Sequence, residues 1–373
     1  MQLIIDRSHI LKAISHGQSV VERKNTIAIL GNVLLQSNQG SLTLTTTNMD
    51  LSLVEHIPAN VLNPGQTTVS ATLLYDIVRK LPESAAIELT YLPETSQLVL
   101  KAGRSRFQMP CLPAEDFPQL NQETLPHQFT LPANRMKEII DRARFAMATE
   151  EARFYLNGIH FHTMVDEGEL TLRSVATDSH RLACLETSLA NDIGDIPAII
   201  IGRKTIMELR KLLDETSDAV TISLSANRVQ FHFTNATLSS RLIDGAFPDY
   251  ETAIPRQNDK HLLVNTKDFF AAVDRVATVA QDDLNAIKLN LNENMLTLSA
   301  MGQQAGSAVE ELTVIYPYQD PLEIGFNAKY LLDMAGHING EETELSLTDG
   351  DTAVILKGIN DSSALYVLMP IRV

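Results

Sequence analysis

Apolar and polar positions along the 373-residue chain repeat as three versions of one pattern. Each version opens with a strand running into an amphipathic helix: LIIDRSHILKAISHG (3–17), FTLPANRMKEIIDRARFAMA (129–148) and LLVNTKDFFAAVDRVATVA (262–280). In the middle one, Met136, Ile139, Ile140, Ala143 and Met147 recur at the spacing that places them on one helix face. A hairpin of alternating residues follows at 31–48, 157–178 and 287–302, and in it the tripeptide LTL begins at 42, 170 and 296, at intervals of 128 and 126. A second helix is predicted over 69–83, 201–215 and 326–338, followed by further alternating strands. AEDFPQL (114–120) and GAFPDY (245–250) close the first two versions.

A period of this length exceeds that of any solenoid repeat and indicates three whole domains of one fold. The expected class is α+β: three repeated domains, each with two helices packed on antiparallel sheets, spanning 1–122, 128–256 and 260–373. Polar residues and Pro cluster at the two linkers, near Asn121–Gln128 and Pro255–Lys260. Head-to-tail contact between equal modules generates a closed ring when the rotation closes, and unpaired edge strands are its natural joints.

Composition is ordinary for a globular protein, with 44% apolar and 20% charged residues. Collagen-like, coiled-coil and wholly disordered readings are excluded. Two cysteines, Cys111 and Cys184, make no disulfide framework, and no zinc-type spacing occurs, so a reducing cytoplasm is expected. The first residues do not read as a signal peptide, and the longest apolar run, IPAIII (196–201), is far short of the roughly 20 residues of a membrane span. The formal net charge of −16 argues, taken alone, against nucleic-acid binding. Its distribution changes that picture. Half of the 30 basic residues, among them Arg7, Lys12, Arg135, Lys137, Arg142 and Arg144, fall in the six predicted helices, where they outnumber the acids. A basic helical surface on an acidic body would hold a duplex loosely by its phosphates, without reading bases.

Seven ordered segments then carry a resemblance over the whole chain: ILGNVLLQ (29–36), AGRSRFQMPCLPAEDFPQL (102–120), FYLNGIHF (154–161), VATDSHRLA (175–183), DGAFPDY (244–250), IGFNAKYLLD (324–333) and YVLMPIRV (366–373). The sequence resembles the bacterial DNA sliding clamps, the beta subunit of DNA polymerase III. The resemblance implies a non-catalytic processivity factor without cofactor or metal. Each chain is then half of a homodimeric ring around duplex DNA, held without sequence preference. It also implies a hydrophobic cleft between the second and third domains for short peptides of DNA polymerases, the clamp loader, and repair and ligase proteins.

By motif, that cleft falls to Leu156, Thr177, Ser179, His180, Arg181, Leu182, Pro248, Asn327, Tyr330, Val367, Leu368, Met369, Pro370, Ile371 and Arg372. Ser179 stands where relatives commonly have Gly, and Thr252 and Ala253 where some have Arg and Val. Duplex contact falls to Lys24, Thr72, Glu150, Phe154 and Tyr155, of which Thr72 and Glu150 depart from the residue types of relatives. Dimer closure falls to Arg104, Arg106, Phe107 and Met109 of the first domain against Thr278, Val279, Glu310 and Glu311 of the third.

Other readings are weaker. Asp178, Ser179 and His180 are adjacent, so a strand sends them to opposite faces, whereas a catalytic triad gathers separated residues. His160 and His162 share a strand face without an evident third metal ligand. No phosphate-binding glycine loop occurs. A protein-docking scaffold of the same fold that does not encircle DNA is the principal alternative.

Overall fold

The computed structural model of the chain describes residues 1–22, 26–119, 123–166, 168–189, 196–280, 285–302 and 306–372. The first repeat comprises β1 (Gln2–Asp6), α1 (Arg7–Val20), β2 (Asn32–Asn38), β3 (Ser41–Thr47), β4 (Leu51–Pro58), β5 (Asn60–Asn63), β6 (Gly65–Ser70), α2 (Ala71–Lys80), β7 (Ala86–Leu92), β8 (Gln97–Ala102) and β9 (Ser105–Leu112). The second comprises β10 (His127–Pro132), α3 (Ala133–Ala143), β11 (Gly158–Asp166), β12 (Glu169–Thr177), β13 (Arg181–Ser188), β14 (Ile199–Gly202), α4 (Arg203–Leu213), β15 (Ala219–Leu224), β16 (Arg228–His232) and β17 (Ala236–Arg241). The third comprises β18 (Lys260–Asn265), α5 (Thr266–Ala277), β19 (Ala286–Asn292), β20 (Met295–Gly302), β21 (Gly306–Thr313), β22 (Leu322–Asn327), α6 (Ala328–Ala335), β23 (Glu342–Leu347), β24 (Val354–Gly358) and β25 (Ala364–Leu368).

All three repeats therefore follow the expected order, strand and helix twice over with antiparallel ladders between. Side chains start the helices where the sequence offers them. Ser70, Asn265 and Asn327 each accept a backbone N–H of the first turn of α2, α5 and α6. Among the described residues no helix is long and apolar enough to cross a membrane.

The chain divides into two compact units, which do not coincide with the repeats. The first unit holds residues 1–137 and 204–242. Its 13-stranded sheet runs β10-β15-β16-β17-β4-β3-β2-β6-β9-β8-β7-β1-β5. The pairing of β17 with β4, with Leu51 opposite Ser240 and Glu55 opposite Ala236, joins the middle repeat to the first by backbone hydrogen bonds. Its core gathers the inward alternation of the strands and one face of each helix: Leu3, Ile5, Ile10, Ile14, Leu35, Leu42, Leu74, Ile87, Leu89, Leu98 and Leu100.

The second unit holds residues 138–203 and 243–373. An eight-stranded sheet runs β14-β11-β12-β13-β25-β24-β23-β18, and a four-stranded one runs β21-β20-β19-β22. Here β13 and β25 are the seam between repeats, with Arg181 opposite Leu368 and Leu185 opposite Ala364. Phe269, Leu289, Leu298, Tyr316, Phe326, Leu331 and Tyr366 are among the side chains fully enclosed in this unit.

The register corrects one sequence landmark. Leu35 pairs with Leu44 and Leu289 with Leu298, so the LTL at 42 matches the LTL at 296. In the middle repeat Phe161 pairs with Ser174, and the hairpin is two residues longer on each strand. Leu172, not Leu170, is the structural counterpart of Leu42.

Candidate functional site

The predicted cleft residues gather in the second unit at the β13–β25 seam. The β12–β13 turn is held by its own side chains. Thr177 Oγ1 donates to the Arg181 carbonyl at 2.7 Å and accepts the Ser179 amide at 3.1 Å. Asp178 Oδ1 accepts the amides of His180 and Arg181, both at 3.0 Å. The turn forces Ser179 to φ +75°. That left-handed conformation costs a residue with a Cβ roughly 1 kcal/mol or more, which is the physical reason a glycine suits the position. The Ser179 hydroxyl offsets part of this by accepting from Arg153 Nη1 at 2.7 Å. Because Asp178 is committed to the turn and to Arg181 Nε (3.0 Å), the Asp-Ser-His run forms no catalytic triad.

Arg181 is the centre of the site. Its guanidinium donates to Asp178, to Asp333 Oδ2 of α6 at 2.6 Å and to the Phe145 carbonyl at 2.7 Å. It lies over the Tyr330 ring (4.4 Å) and the Phe145 ring (5.1 Å). His180 also stacks on Tyr330, with centroids 5.8 Å apart. Asn327 caps α6 by accepting the amides of Lys329 and Tyr330, which fixes the start of the helix that carries Tyr330. Leu182 and Val367 lie in the floor with Val175, Cys184 and Tyr250, and Leu156 is buried at the end of the 3-10 turn Glu151–Leu156. Past β25 the chain is held by two backbone bonds, from the Met369 amide to the His180 carbonyl (2.9 Å) and from the Ile371 amide to the Gly325 carbonyl (2.8 Å). Leu368 is fully buried, Met369 is 46% exposed, Pro370 and Ile371 are half-buried, and Pro248 and Arg372 are exposed.

Several members of the site were missed in the sequence. Phe145 sits beneath Arg181. Phe247 stacks on His160 at 4.6 Å. Arg173 donates to Tyr250 Oη (3.1 Å), Glu251 (3.0 Å) and Glu186 (2.6 Å) and so ties the closing 3-10 turn to the sheet. The FPDY motif was the available signal, since its two aromatic rings need a surface to cover. Burial beside His162 pulls the His160 imidazole down to about 4, so it is neutral at pH 7. The His162 ring is taken by Tyr250 Oη at 2.9 Å, and no group of three metal-ligating side chains occurs among the described residues. Burial pushes the Cys184 thiol up to about 12.

The equivalent seam between the first and middle repeats has the same backbone and a different lining. Its turn again uses a threonine, with Thr47 Oγ1 donating to the Leu51 carbonyl at 3.0 Å, and again a left-handed residue, Met49 at φ +81°. Where the second seam has Val367 in its floor and Met369 just past β25, the first has Ser239 and Arg241 of β17. The apolar floor is therefore particular to the second seam.

The predicted duplex residues are distributed. Lys24 lies outside the described residues. Thr72 is half-buried in the first turn of α2 in the first unit. Glu150, Phe154 and Tyr155 lie together in the second unit. Glu150 is neutralised by Arg153, at 2.8 Å and 3.1 Å. Phe154, 51% exposed, meets Tyr155 edge to face at 5.8 Å. Gly245 makes room for the pair, since a Cβ there would stand 3.1 Å from Tyr155 Cβ. Arg142, counted above among surface cations, is instead buried and bonded to Asp361, Tyr366 Oη and the His337 carbonyl. It contributes nothing to a basic surface.

Of the predicted closure residues, Arg104 and Arg106 are exposed and Phe107 is half-buried against the first-repeat core. The Met109 side chain is 1% exposed within that core and offers a second chain no packing surface, only its main chain on the open edge. The alternation of SRFQMPCL turns it inward with Cys111. β9 pairs along its length with β8 but with β6 only at Cys111 and Leu112, which leaves 105–110 an open edge among the described ladders. β21 is likewise the edge of its sheet. On it Glu310 accepts from Arg275 Nε at 3.0 Å, and Glu311 is exposed. Thr278 is exposed and Val279 half-buried just past α5.

Comparison with known proteins covers the whole chain. Family profiles of the DNA polymerase III beta subunit match its N-terminal domain at residues 1–121, its central domain at 130–249 and its C-terminal domain at 251–372. The beta sliding clamps of Caulobacter vibrioides and Escherichia coli K12 are 43% and 35% identical, with all of both chains covered. Among solved structures, a C. crescentus beta sliding clamp with polyethylene glycol bound superposes with a TM-score of 0.97 at 43% identity, over 100% of this chain and 99% of that one. A Bartonella birtlesii sliding clamp bound to griselimycin gives 0.96 at 42% identity, with full coverage of both.

Proposed function

The chain belongs to the DNA polymerase III beta-subunit family and is a sliding clamp, and from that premise we propose how its own residues perform the task. Two copies close head to tail into a ring around duplex DNA in the bacterial cytoplasm. The ring tethers polymerases and other replication and repair proteins, the clamp loader and ligase among them, and catalyses nothing itself. Retention is topological, so contacts to the duplex stay weak and independent of sequence. The exposed Phe154 and the half-buried Tyr155 supply an aromatic pair beside that path, and Lys24, outside the described residues, is assigned a phosphate contact from the resemblance alone.

The two open edges support closure. β21 holds the place in the third repeat that β4 and β13 hold in the others, and β9 the place of β17 and β25. Carrying the register of the two internal seams over sets Glu310 opposite Ser105, and Gly306 opposite Met109, of the second copy. In that register Phe107 corresponds to Leu238 and Tyr366, both fully buried in their seams, so a second chain would complete its burial. Arg104 and Arg106 then face Glu311 and its neighbours.

The cleft at the second seam takes a short linear peptide. An apolar anchor would enter beside Leu156, Leu182, Val367 and Met369, with His180, Tyr330 and Arg372 flanking the peptide backbone. The observation that carries this reading is the contrast between seams, one frame with valine and methionine in one place and serine and arginine in the other.

The test of encirclement uses the dimer, its clamp loader and nicked circular plasmid. We expect loaded protein to stay with closed circles through gel filtration and to leave after linearisation. Equal retention on both forms would overturn encirclement and favour a docking scaffold.

A further inference from the structure

The tenth residue of the first helix is a base in every repeat: His16 in α1, Arg142 in α3 and Arg275 in α5. Arg142 ties the middle repeat to the third through Asp361, Ser363 and Tyr366. Arg275 bonds Glu310, which stands on β21 where Glu55 stands on β4. Position ten is thus a base held by a carboxylate in every repeat, and two of the three bases carry a permanent charge.

The third is a histidine, 6% exposed, inside the first unit. Its Nδ1 lies 3.1 Å from Glu55 Oε1 on β4, and its Nε2 lies 3.1 Å from Glu215 Oε1, just past α4 of the middle repeat. Ionised carboxylate oxygens only accept, so two such contacts require N–H at both ring nitrogens, which only the imidazolium provides. We propose that His16 is a proton-dependent latch on the seam between the first and middle repeats: the imidazolium ties α1 and β4 to the end of α4, and loss of its proton releases the tie.

The surrounding charges keep the latch specific to His16. On α1, Lys12 pairs with the second oxygen of Glu215 at 2.9 Å. On α4, Glu208 is occupied by the Ser19 hydroxyl (2.5 Å) and by Lys211 (2.9 Å). A cavity of about 460 Å³ beside the triad is lined by His9, His56 and Asp218 as well as by Lys12, Glu55 and Glu215. His56 Nδ1 is bonded to the Thr43 hydroxyl at 3.0 Å, and Arg210 is paired with Asp214. Burial works against a charge on His16, but the hydrogen bonds and charges of Glu55 and Glu215 outweigh it and raise the ring above its ordinary value of 6.5. A raised folded-state value gives a contribution fully present below pH 6.5 and lost as the pH climbs through the folded-state midpoint. The Glu55 carboxyl is also raised, by burial, and so shifts in the same direction.

The test follows the intact protein in two ways. With the histidines labelled at 13Cε1 and His16 assigned through His16→Gln, we expect a His16 midpoint above 6.5. Hydrogen exchange corrected for intrinsic rates should show residues 206–216 and 51–58 losing protection between pH 6 and pH 9, about tenfold for each unit by which the midpoint exceeds 6.5. His16→Arg should keep them protected at both pH values, and His16→Gln should leave them weakly protected at both. If His16→Gln does not fold, Glu215→Gln assigns the resonance by moving it to lower pH. A midpoint at or below 6.5, or protection that does not change with pH in the wild type, overturns the latch.

Discussion

Leu368 ends β25 and Met369 follows it, and we expect the pair to separate fold from peptide binding. Leu368 is fully enclosed and Met369 is 46% exposed. Burying a whole methionine side chain contributes about 1.5–3 kcal/mol. A peptide that covers the exposed half should therefore gain about 1 kcal/mol from it, and Met369→Ala should weaken peptide binding about fivefold. The substitution keeps the Met369 amide bond to the His180 carbonyl, so the rim retains its path. Leu368→Ala instead opens a cavity in the seam and should cost about 2–5 kcal/mol of stability. Its effect on affinity, measured well below the unfolding temperature, should be smaller than that of Met369→Ala. The assay is fluorescence anisotropy of a labelled clamp-binding peptide at 25 °C, with calorimetric melting of both variants alongside. Unchanged affinity in Met369→Ala, or a larger affinity loss in a fully folded Leu368→Ala, would refute the assignment of Met369 to the recognition surface.

Two further outcomes are expected. Phe107→Arg should yield monomers by light scattering at micromolar concentration, because it places a charge in a seam whose counterparts Leu238 and Tyr366 are fully buried; a persistent dimer mass would place closure elsewhere. His160 is held at about 4, so the packing of its ring on Phe247 should weaken as the pH falls from 6.5 towards 4. His160→Phe should remove that part of the acid-induced drop in melting temperature, and an identical acid profile in the variant would refute it.

What the sequence disclosed was local or periodic. The six helices, the hairpins and the order of elements follow from apolar spacing, and Asn265 and Asn327 mark two helix starts directly. The cleft residues were reached through motif resemblance, since Thr177 and Arg181 carry no local sign of their shared turn. Seams join strands far apart in the chain: β4 meets β17 some 180 residues later, and no periodic pattern encodes a pairing at that distance. For the same reason Arg142 read as a surface cation, because its acceptors Asp361 and Tyr366 lie more than 200 residues away. Met109 was the avoidable error, since Phe107, Met109 and Cys111 alternate with polar or exposed positions and share the inward face. The LTL coincidence misled in a different way. A tripeptide fits a strand in more than one register, and only the ladder fixes which.

The seams are built from main-chain amides and carbonyls, which every residue other than proline supplies alike. Their geometry is consequently indifferent to the side chains they display, and substitution can redecorate a junction without moving it. The first junction has the same pairing, with Ser239 and Arg241 where its sister has Val367 and Met369. We expect exchange of Ser239 and Arg241 for the valine and methionine of its sister to test whether such a frame alone can take a peptide, with the enclosed Ser240, bonded to Thr205, left in place.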